Sequence, residues 1–270
     1  MQSRWLSPEV FEWEASVDFA APADLSRFSR PHHLLEHAER KLASTGGDLD
    51  RADSVLTLKR AVNSRLQHIE ELYGLASAFP KSIGALERLE AVDLARPLLT
   101  RQMFELRNEI EHNDGPVPDP LRCQELADAT WYFLRATDAA CSETPTSLEF
   151  RPISSLNPMP GAEYVSLHKL APGLVNLTVT ARLRGDQIAS TAMPGYYELQ
   201  SSPEYADSMR AMLRRSGMDD RHVTDEHYGP PDDRIEFGKL VYDNTFRIAM
   251  WRRLFACNRL RSAMVVHPDA

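Results

Sequence analysis

The sequence has few cysteines, and it contains no long hydrophobic run. Its three cysteines, Cys123, Cys141 and Cys257, are far apart, so they form neither a disulfide framework nor the paired spacing of a zinc site. No apolar stretch reaches the roughly 20 residues that a membrane helix needs. The first residues mix acidic and aromatic side chains and lack the apolar core of a signal peptide. These features favour a cytoplasmic protein in a reducing compartment, without a membrane association.

The sequence also lacks an excess of basic residues. Its formal net charge of −8 argues against a surface that is basic throughout, although it permits a local basic site. Gly46-Gly47 is not followed by the lysine of a phosphate-binding loop. Residues 221–227 (RHVTDEH) carry histidines and acids, but their spacing is not that of a zinc protease, and a solvated acidic loop explains them better. We therefore predict no metal and no cofactor.

Hydrophobic periodicity predicts a helical bundle in residues 31–142. In the segment 48–74 the apolar residues recur at spacings of three and four, which is typical of a one-sided helix. Asp119 and Pro120 are an N-cap and a first-turn proline, and they open a further helix through Asp138. Shorter helical patterns occupy 31–42, 82–92 and 95–111. Residues 1–30 show no clear period and are assigned to a separate N-terminal segment.

The pattern changes after Cys141. A linker at 142–147 leads into alternating and β-branched sequences at 147–153, 162–170 and 174–183, which predict strands. Two helical patterns follow, at 202–217 and 244–264. The predicted fold class is thus α+β: an N-terminal all-α bundle followed by a smaller α+β domain over residues 147–270.

The most informative segment is LRNEIEHNDGPVPDP, residues 106–120, where a predicted helix ends in Asn-Asp-Gly-Pro. Arg107 and His112 stand five positions apart next to this end, and Asn108 follows the arginine. The motif lies after the long helical segment 48–74 and before the helix that opens at Asp119. In this order of elements, residues 31–141 resemble the HEPN superfamily, whose motif is an arginine, four to six residues, and a histidine. Residues 147–270 resemble no family that we can name.

Many HEPN domains are metal-independent endoribonucleases, and the resemblance implies this activity here. His112 would then act as general base or acid, since imidazole titrates near neutrality. Arg107 would stabilise the charge on the phosphate, and Asn108 would assist. The resemblance also implies a homodimer with a composite active site, and a place in toxin–antitoxin, antiphage or stress-response systems with an antitoxin or regulatory protein as partner.

A second interpretation of the motif remains open. Five positions on an ideal helix rotate by about 500°, so Arg107 and His112 would point about 140° apart unless the helix unwinds or a second subunit completes the site. Basic residues near a helix C-terminus also stabilise its dipole without any catalytic role. The alternative function is therefore a non-catalytic dimerisation scaffold whose C-terminal domain binds a ligand or a partner.

The helical pattern at 244–264 offers a weaker RNA-binding candidate. Arg247, Arg252 and Arg253 alternate there with Trp251 and Phe255, and basic residues interleaved with aromatics can grip single-stranded RNA. An amphipathic helix that packs Trp251 and Phe255 inward accounts for the same residues, and we favour that interpretation.

Overall fold

The structure is a computed structural model, and it combines helices with one large sheet. It describes residues 2–20, 25–44, 47–96, 101–102, 105, 117–153, 163–168, 170, 173–201 and 234–265. Within these residues, eight strands form a single sheet whose recorded pairings are antiparallel. The α+β fold class predicted from the sequence is confirmed.

The helices and strands have the following bounds. The helices are α1 (Leu25–Ala43), α2 (Asp48–Tyr73), α3 (Ala85–Ala91), α4 (Pro120–Ser142) and α5 (Asn244–Val265). Short 3-10 helices lie at Pro8–Glu12 and Leu75–Ala78. The strands are β1 (Gln2–Leu6), β2 (Glu14–Ala20), β3 (Thr144–Arg151), β4 (Tyr164–His168), β5 (Thr178–Leu183), β6 (Ile188–Ala189), β7 (Tyr197–Ser201) and β8 (Arg234–Leu240).

The chain divides into two compact units, and each unit is built from two separate chain segments. The sheet unit comprises residues 1–19 and 145–247, and the helical unit comprises 20–144 and 248–270. This division differs from the predicted succession of an N-terminal segment, a bundle and an α+β domain. The first residues belong to the sheet unit, since β1 pairs with β7, and the last part of α5 belongs to the helical unit. The boundary at 144/145 falls inside the predicted linker.

In the sheet unit, the strand order is β2-β3-β4-β5-β8-β7-β1-β6. Every residue of the central strand β5 is buried, so both faces of the sheet are covered there. On one side of β5, Val165 pairs with Ala181, and on the other side Thr180 pairs with Phe237. The core includes Phe11, whose ring meets the ring of Phe150 edge-on at 5.4 Å.

In the helical unit, α1, α2 and α4 pack against one another pairwise. The predicted stripe of α2 faces inward, because Leu58, Val62 and Ile69 are buried. Helix α2 ends at Gly74, which adopts the left-handed conformation (φ 57°) that favours glycine and ends many helices. Helix α4 begins as predicted: the Asp119 carboxylate accepts a hydrogen bond from the Arg122 backbone N–H at 2.9 Å.

Helix α1 differs from its prediction. It begins at Leu25 rather than at Pro31, and Pro31 lies inside the helix and is buried. A proline in a helix interior removes one backbone hydrogen bond and disfavours helical geometry in the residue before it, which is why the sequence favoured a helix start there. Burial of the apolar proline ring offsets this cost. Most of the predicted helix 95–111 lies outside the described residues.

Candidate functional site

The motif predicted to be catalytic lies outside the described residues. Arg107, Asn108 and His112 all fall within 106–116, for which the structure describes nothing. The same holds for the acidic segment 221–227. The arrangement of these residues therefore remains a prediction from sequence. The described helices α2 and α4, which precede and follow the motif along the chain, contact each other.

The three arginines of the weaker RNA-binding candidate have different environments. Arg247 is 6% exposed; its Nε donates to the Gly173 carbonyl at 2.9 Å, and its Nη1 donates to the Asn244 side chain at 3.0 Å. Burial lowers the pKa of Arg247. Arg247 thus holds a loop of the sheet unit, and its burial argues against the predicted contact with RNA.

Arg252 and Arg253 lie farther along α5, in the helical unit. Arg252 is exposed, yet its Nε donates to the Ala91 carbonyl at 2.8 Å and lies 3.8 Å from the Asp93 carboxylate. Arg253 is half-buried. Trp251 and Phe255 are fully buried, as the amphipathic interpretation of this helix predicts. The pattern of arginines and aromatics in α5 is explained by packing.

A buried polar cluster joins α1, α2 and α4. Its centre is Arg65, which is fully buried and donates through Nη2 to Oδ1 of Asp138 at 2.8 Å. Nε2 of His32 lies 2.7 Å from the same Oδ1 and 3.1 Å from the same Nη2. Because a carboxylate oxygen can only accept, the short contact with Oδ1 places the proton on Nε2 of His32, which donates to Asp138. The Asp138 carboxylate of α4 therefore binds one side chain from α1 and one from α2.

The rest of the Arg65 guanidinium lies near an aromatic ring and a thiol. Its centre lies 5.2 Å from the Phe28 ring centroid, and its Nε and Nη1 atoms have no hydrogen-bond partner within the described part of the chain. Burial raises the pKa of the nearby Cys141 thiol to about 11, although the Arg65 charge acts in the opposite direction. The thiol is therefore protonated near neutral pH, and it is also fully buried. A nucleophilic role for Cys141 does not fit this environment.

The sequence contained a signal for this cluster that was overlooked. Arg65 follows Val62 by three positions and precedes Ile69 by four, so it stands inside the apolar stripe of α2. A charged residue in such a stripe needs a buried counter-charge. Nothing in the sequence identified the partner, because Asp138 lies 73 positions away.

A polar cleft of about 170 Å³ lies between α1 and α2 in the helical unit. Its lining consists of polar side chains: Arg27, Arg30, Ser64, Gln67, His68 and Glu71. Arg27 is ion-paired with Glu71, and both side chains are about half exposed. His68 is 6% exposed and forms a more sheltered part of the lining. The cleft therefore presents two guanidinium groups and one carboxylate, together with the hydrogen-bonding groups of Ser64, Gln67 and His68.

Among the described residues, no group of three or more His, Cys, Asp or Glu side chains is placed to hold a metal ion. No helix in the described part of the chain is long and apolar enough to cross a membrane. Comparisons of the sequence with protein-family models and curated proteins, and of the structure with solved structures, found no match.

Proposed function

We propose that the chain is a metal-independent endoribonuclease of the HEPN type, acting as a homodimer. The observation that carries the proposal is the motif Arg107-Asn-Glu-Ile-Glu-His112. It stands at the predicted end of a helix, and in chain order it follows one long helix and precedes another; these two helices contact each other in the helical unit. In the family this sequence resembles, an arginine and a histidine at such a helix end form the nuclease site.

The chemistry of the three residues suits RNA cleavage through the 2′-hydroxyl. A base must remove the 2′-hydroxyl proton, and the imidazole of His112 titrates in the required range. As the 2′-oxygen bonds to phosphorus and the bond from phosphorus to the 5′-oxygen breaks, negative charge grows on the phosphate oxygens, which the Arg107 guanidinium binds with a planar set of donors. The leaving 5′-oxygen takes up a proton from the His112 imidazolium or from water. The Asn108 amide donates to the phosphate or orients His112. A proton is moved and a charge is stabilised without a step that requires a metal ion.

The first prediction concerns cleavage itself. We expect the wild type to cleave labelled single-stranded RNA or transfer RNA in excess EDTA. His112→Ala and Arg107→Ala should each lower the rate about 100-fold or more, since general acid–base catalysis and charge stabilisation each contribute on this scale. DNA of the same sequence should remain intact, because it has no 2′-hydroxyl.

Two control variants distinguish loss of the motif from loss of any basic side chain. Arg101→Ala removes an exposed arginine from the same predicted helix, and His33→Ala removes an exposed histidine from α1; both should cleave at the wild-type rate. The mass of the protein in solution should be that of a dimer. If a well-folded wild-type dimer leaves every RNA intact, the scaffold alternative replaces the nuclease. A strictly monomeric wild type would contradict the composite site.

A further inference from the structure

We propose that the cleft between α1 and α2 binds a phosphate group of an RNA strand, outside the Arg107–His112 motif. The cleft is lined by Arg27, Arg30, Ser64, Gln67, His68 and Glu71. The choice of RNA as the ligand rests on the proposed nuclease function. The choice of a phosphate group rests on the composition, charge and size of the cleft.

The composition of the cleft suits an anion with several acceptor oxygens. The two arginines supply guanidinium donors, and Ser64 and Gln67 add a hydroxyl and an amide. Phosphate oxygens in protein–RNA and protein–DNA complexes are bound by these side-chain types. A neutral apolar ligand would find no hydrophobic wall among the lining residues.

The charge of the cleft is positive although the whole chain is acidic. Two guanidinium groups face one carboxylate there, whereas the chain carries a formal net charge of −8. Within the described part of the chain, Arg30 is exposed and forms no ion pair. Its charge is therefore available to a ligand. A local positive cleft in an acidic protein attracts anions to that place rather than to the surface in general.

The ion pair between Arg27 and Glu71 gives the cleft a distinctive property. Glu71 competes with any anion for Arg27, since both bind the same guanidinium group. An anion that enters the cleft must share Arg27 with Glu71 or displace the carboxylate. Removing the negative charge of Glu71 should therefore strengthen binding, whereas removing Arg30 should weaken it. A cleft that is only a surface depression would show neither effect.

The size of the cleft indicates which part of a ligand it holds. Sites for whole small molecules usually enclose about 300–1,000 Å³, and this cleft encloses about 170 Å³. It therefore suits one phosphate group with part of a sugar rather than a complete cofactor. A single phosphate of a strand that continues beyond the cleft meets this requirement.

The test is binding of a short, fluorescein-labelled RNA whose 2′-hydroxyls are methylated, measured by anisotropy on the full-length protein. This RNA cannot be cleaved through its 2′-oxygen, so the assay is independent of nuclease activity. Arg30→Ala should weaken binding about tenfold and reduce the slope of log affinity against log salt by about 0.7, the contribution of one phosphate contact to single-stranded nucleic acid. Glu71→Gln should tighten binding about threefold, because it removes the carboxylate charge that competes with the ligand for Arg27.

The matched control is Arg40→Ala, which removes an exposed arginine from the same helix, outside the cleft. It should change the affinity less than twofold. Equal effects of Arg30→Ala and Arg40→Ala, or weaker binding by Glu71→Gln, would overturn the proposal. Millimolar inorganic phosphate at constant ionic strength should displace little RNA; full displacement would assign the cleft to free phosphate instead. Cleft-dependent binding by a wild type that cleaves no RNA would refute the nuclease and leave the cleft as a phosphate site.

Discussion

The contact between Arg65 and Asp138 has a large energetic consequence at the scale of single residues. Arg65 is fully buried, and Asp138 is its nearest recorded counter-charge. Desolvation of a guanidinium costs several kcal/mol, and the attraction to a carboxylate offsets this cost only while the carboxylate is present. Asp138 also binds His32 at 2.7 Å. The stability of the helical unit therefore depends on one carboxylate more than on most other polar groups.

Asp138→Ala should lower the free energy of unfolding by about 3 kcal/mol, because it leaves a buried cation without its counter-charge. The urea midpoint of unfolding measures this loss. Asp128→Ala is the matched control: Asp128 lies on the same helix, is exposed and accepts a hydrogen bond from Gln124 at 3.0 Å. It should change stability by at most about 0.5 kcal/mol. Similar midpoints for the two variants would contradict the importance of the buried pair.

His168 in β4 links the stability of the sheet unit to pH. Burial lowers the pKa of His168 below its usual 6.5, against the opposing effects of Glu149 and Asp18. Its Nε2 lies 2.9 Å from the Thr180 hydroxyl. The unfolded chain therefore binds a proton more readily than the folded chain. The contribution of His168 to stability is complete above about pH 6.5 and is lost as the pH falls toward the lower folded pKa.

We accordingly expect His168→Gln to flatten the decline of stability below about pH 6.5. Glutamine keeps a hydrogen-bonding group near Thr180 but does not titrate. The measurement is the difference in urea midpoint between wild type and variant across the acidic range. His37→Gln, at an exposed position of α1, should leave the wild-type slope unchanged. If the stability of His168→Gln falls with decreasing pH as steeply as that of the wild type, groups other than His168 cause the loss of stability in acid.

At the scale of elements, local signals were sufficient for α2 and α4 but insufficient for the start of α1 and for several strands. Helices α2 and α4 were predicted because their periodicity, the Asp119 cap and Gly74 lie within the elements or at their ends. Strand β1 was missed because it is held by β6 and β7, which lie far along the chain. A short strand that is stabilised by partners far along the chain has little in its own sequence that predicts a strand.

Strand β8 contains a glycine whose small size is required by the sheet. A Cβ atom on Gly238 would lie 2.8 Å from the Gln200 backbone oxygen and 3.0 Å from the Leu199 side chain. Gly238→Ala should therefore force β7 and β8 apart and cost about 1–3 kcal/mol, as overpacking of a core does. Gly185→Ala is the control, since a Cβ there meets nothing within 4 Å. The melting temperatures of Gly238→Ala and Gly185→Ala are compared by thermal unfolding. Equal values would show that β7 and β8 accommodate the added methyl group without a loss of stability.

At the scale of the whole molecule, the two compact units differ from the consecutive domains predicted from the sequence, because the chain returns to an earlier part of the fold. The sequence patterns predict consecutive domains, whereas the segments of the two units alternate along the chain: 1–19 and 145–247 form the sheet unit, and 20–144 and 248–270 form the helical unit. The candidate site shows the same limit. Arg107 and His112 could be identified because they form a short motif, but the partner of Arg65 could not, because a contact across 73 positions leaves no local pattern.

The pairing of β1 with β7 also constrains how the protein is made. Gln2 pairs with Ser201, so β1 leaves the ribosome almost 200 residues before the strand with which it pairs. At translation rates of about 5–20 residues per second, this interval is roughly 10–40 seconds. The helical unit must likewise wait for the end of α5, which carries the buried Phe255. A translation product that stops before residue 247 would contain neither unit whole.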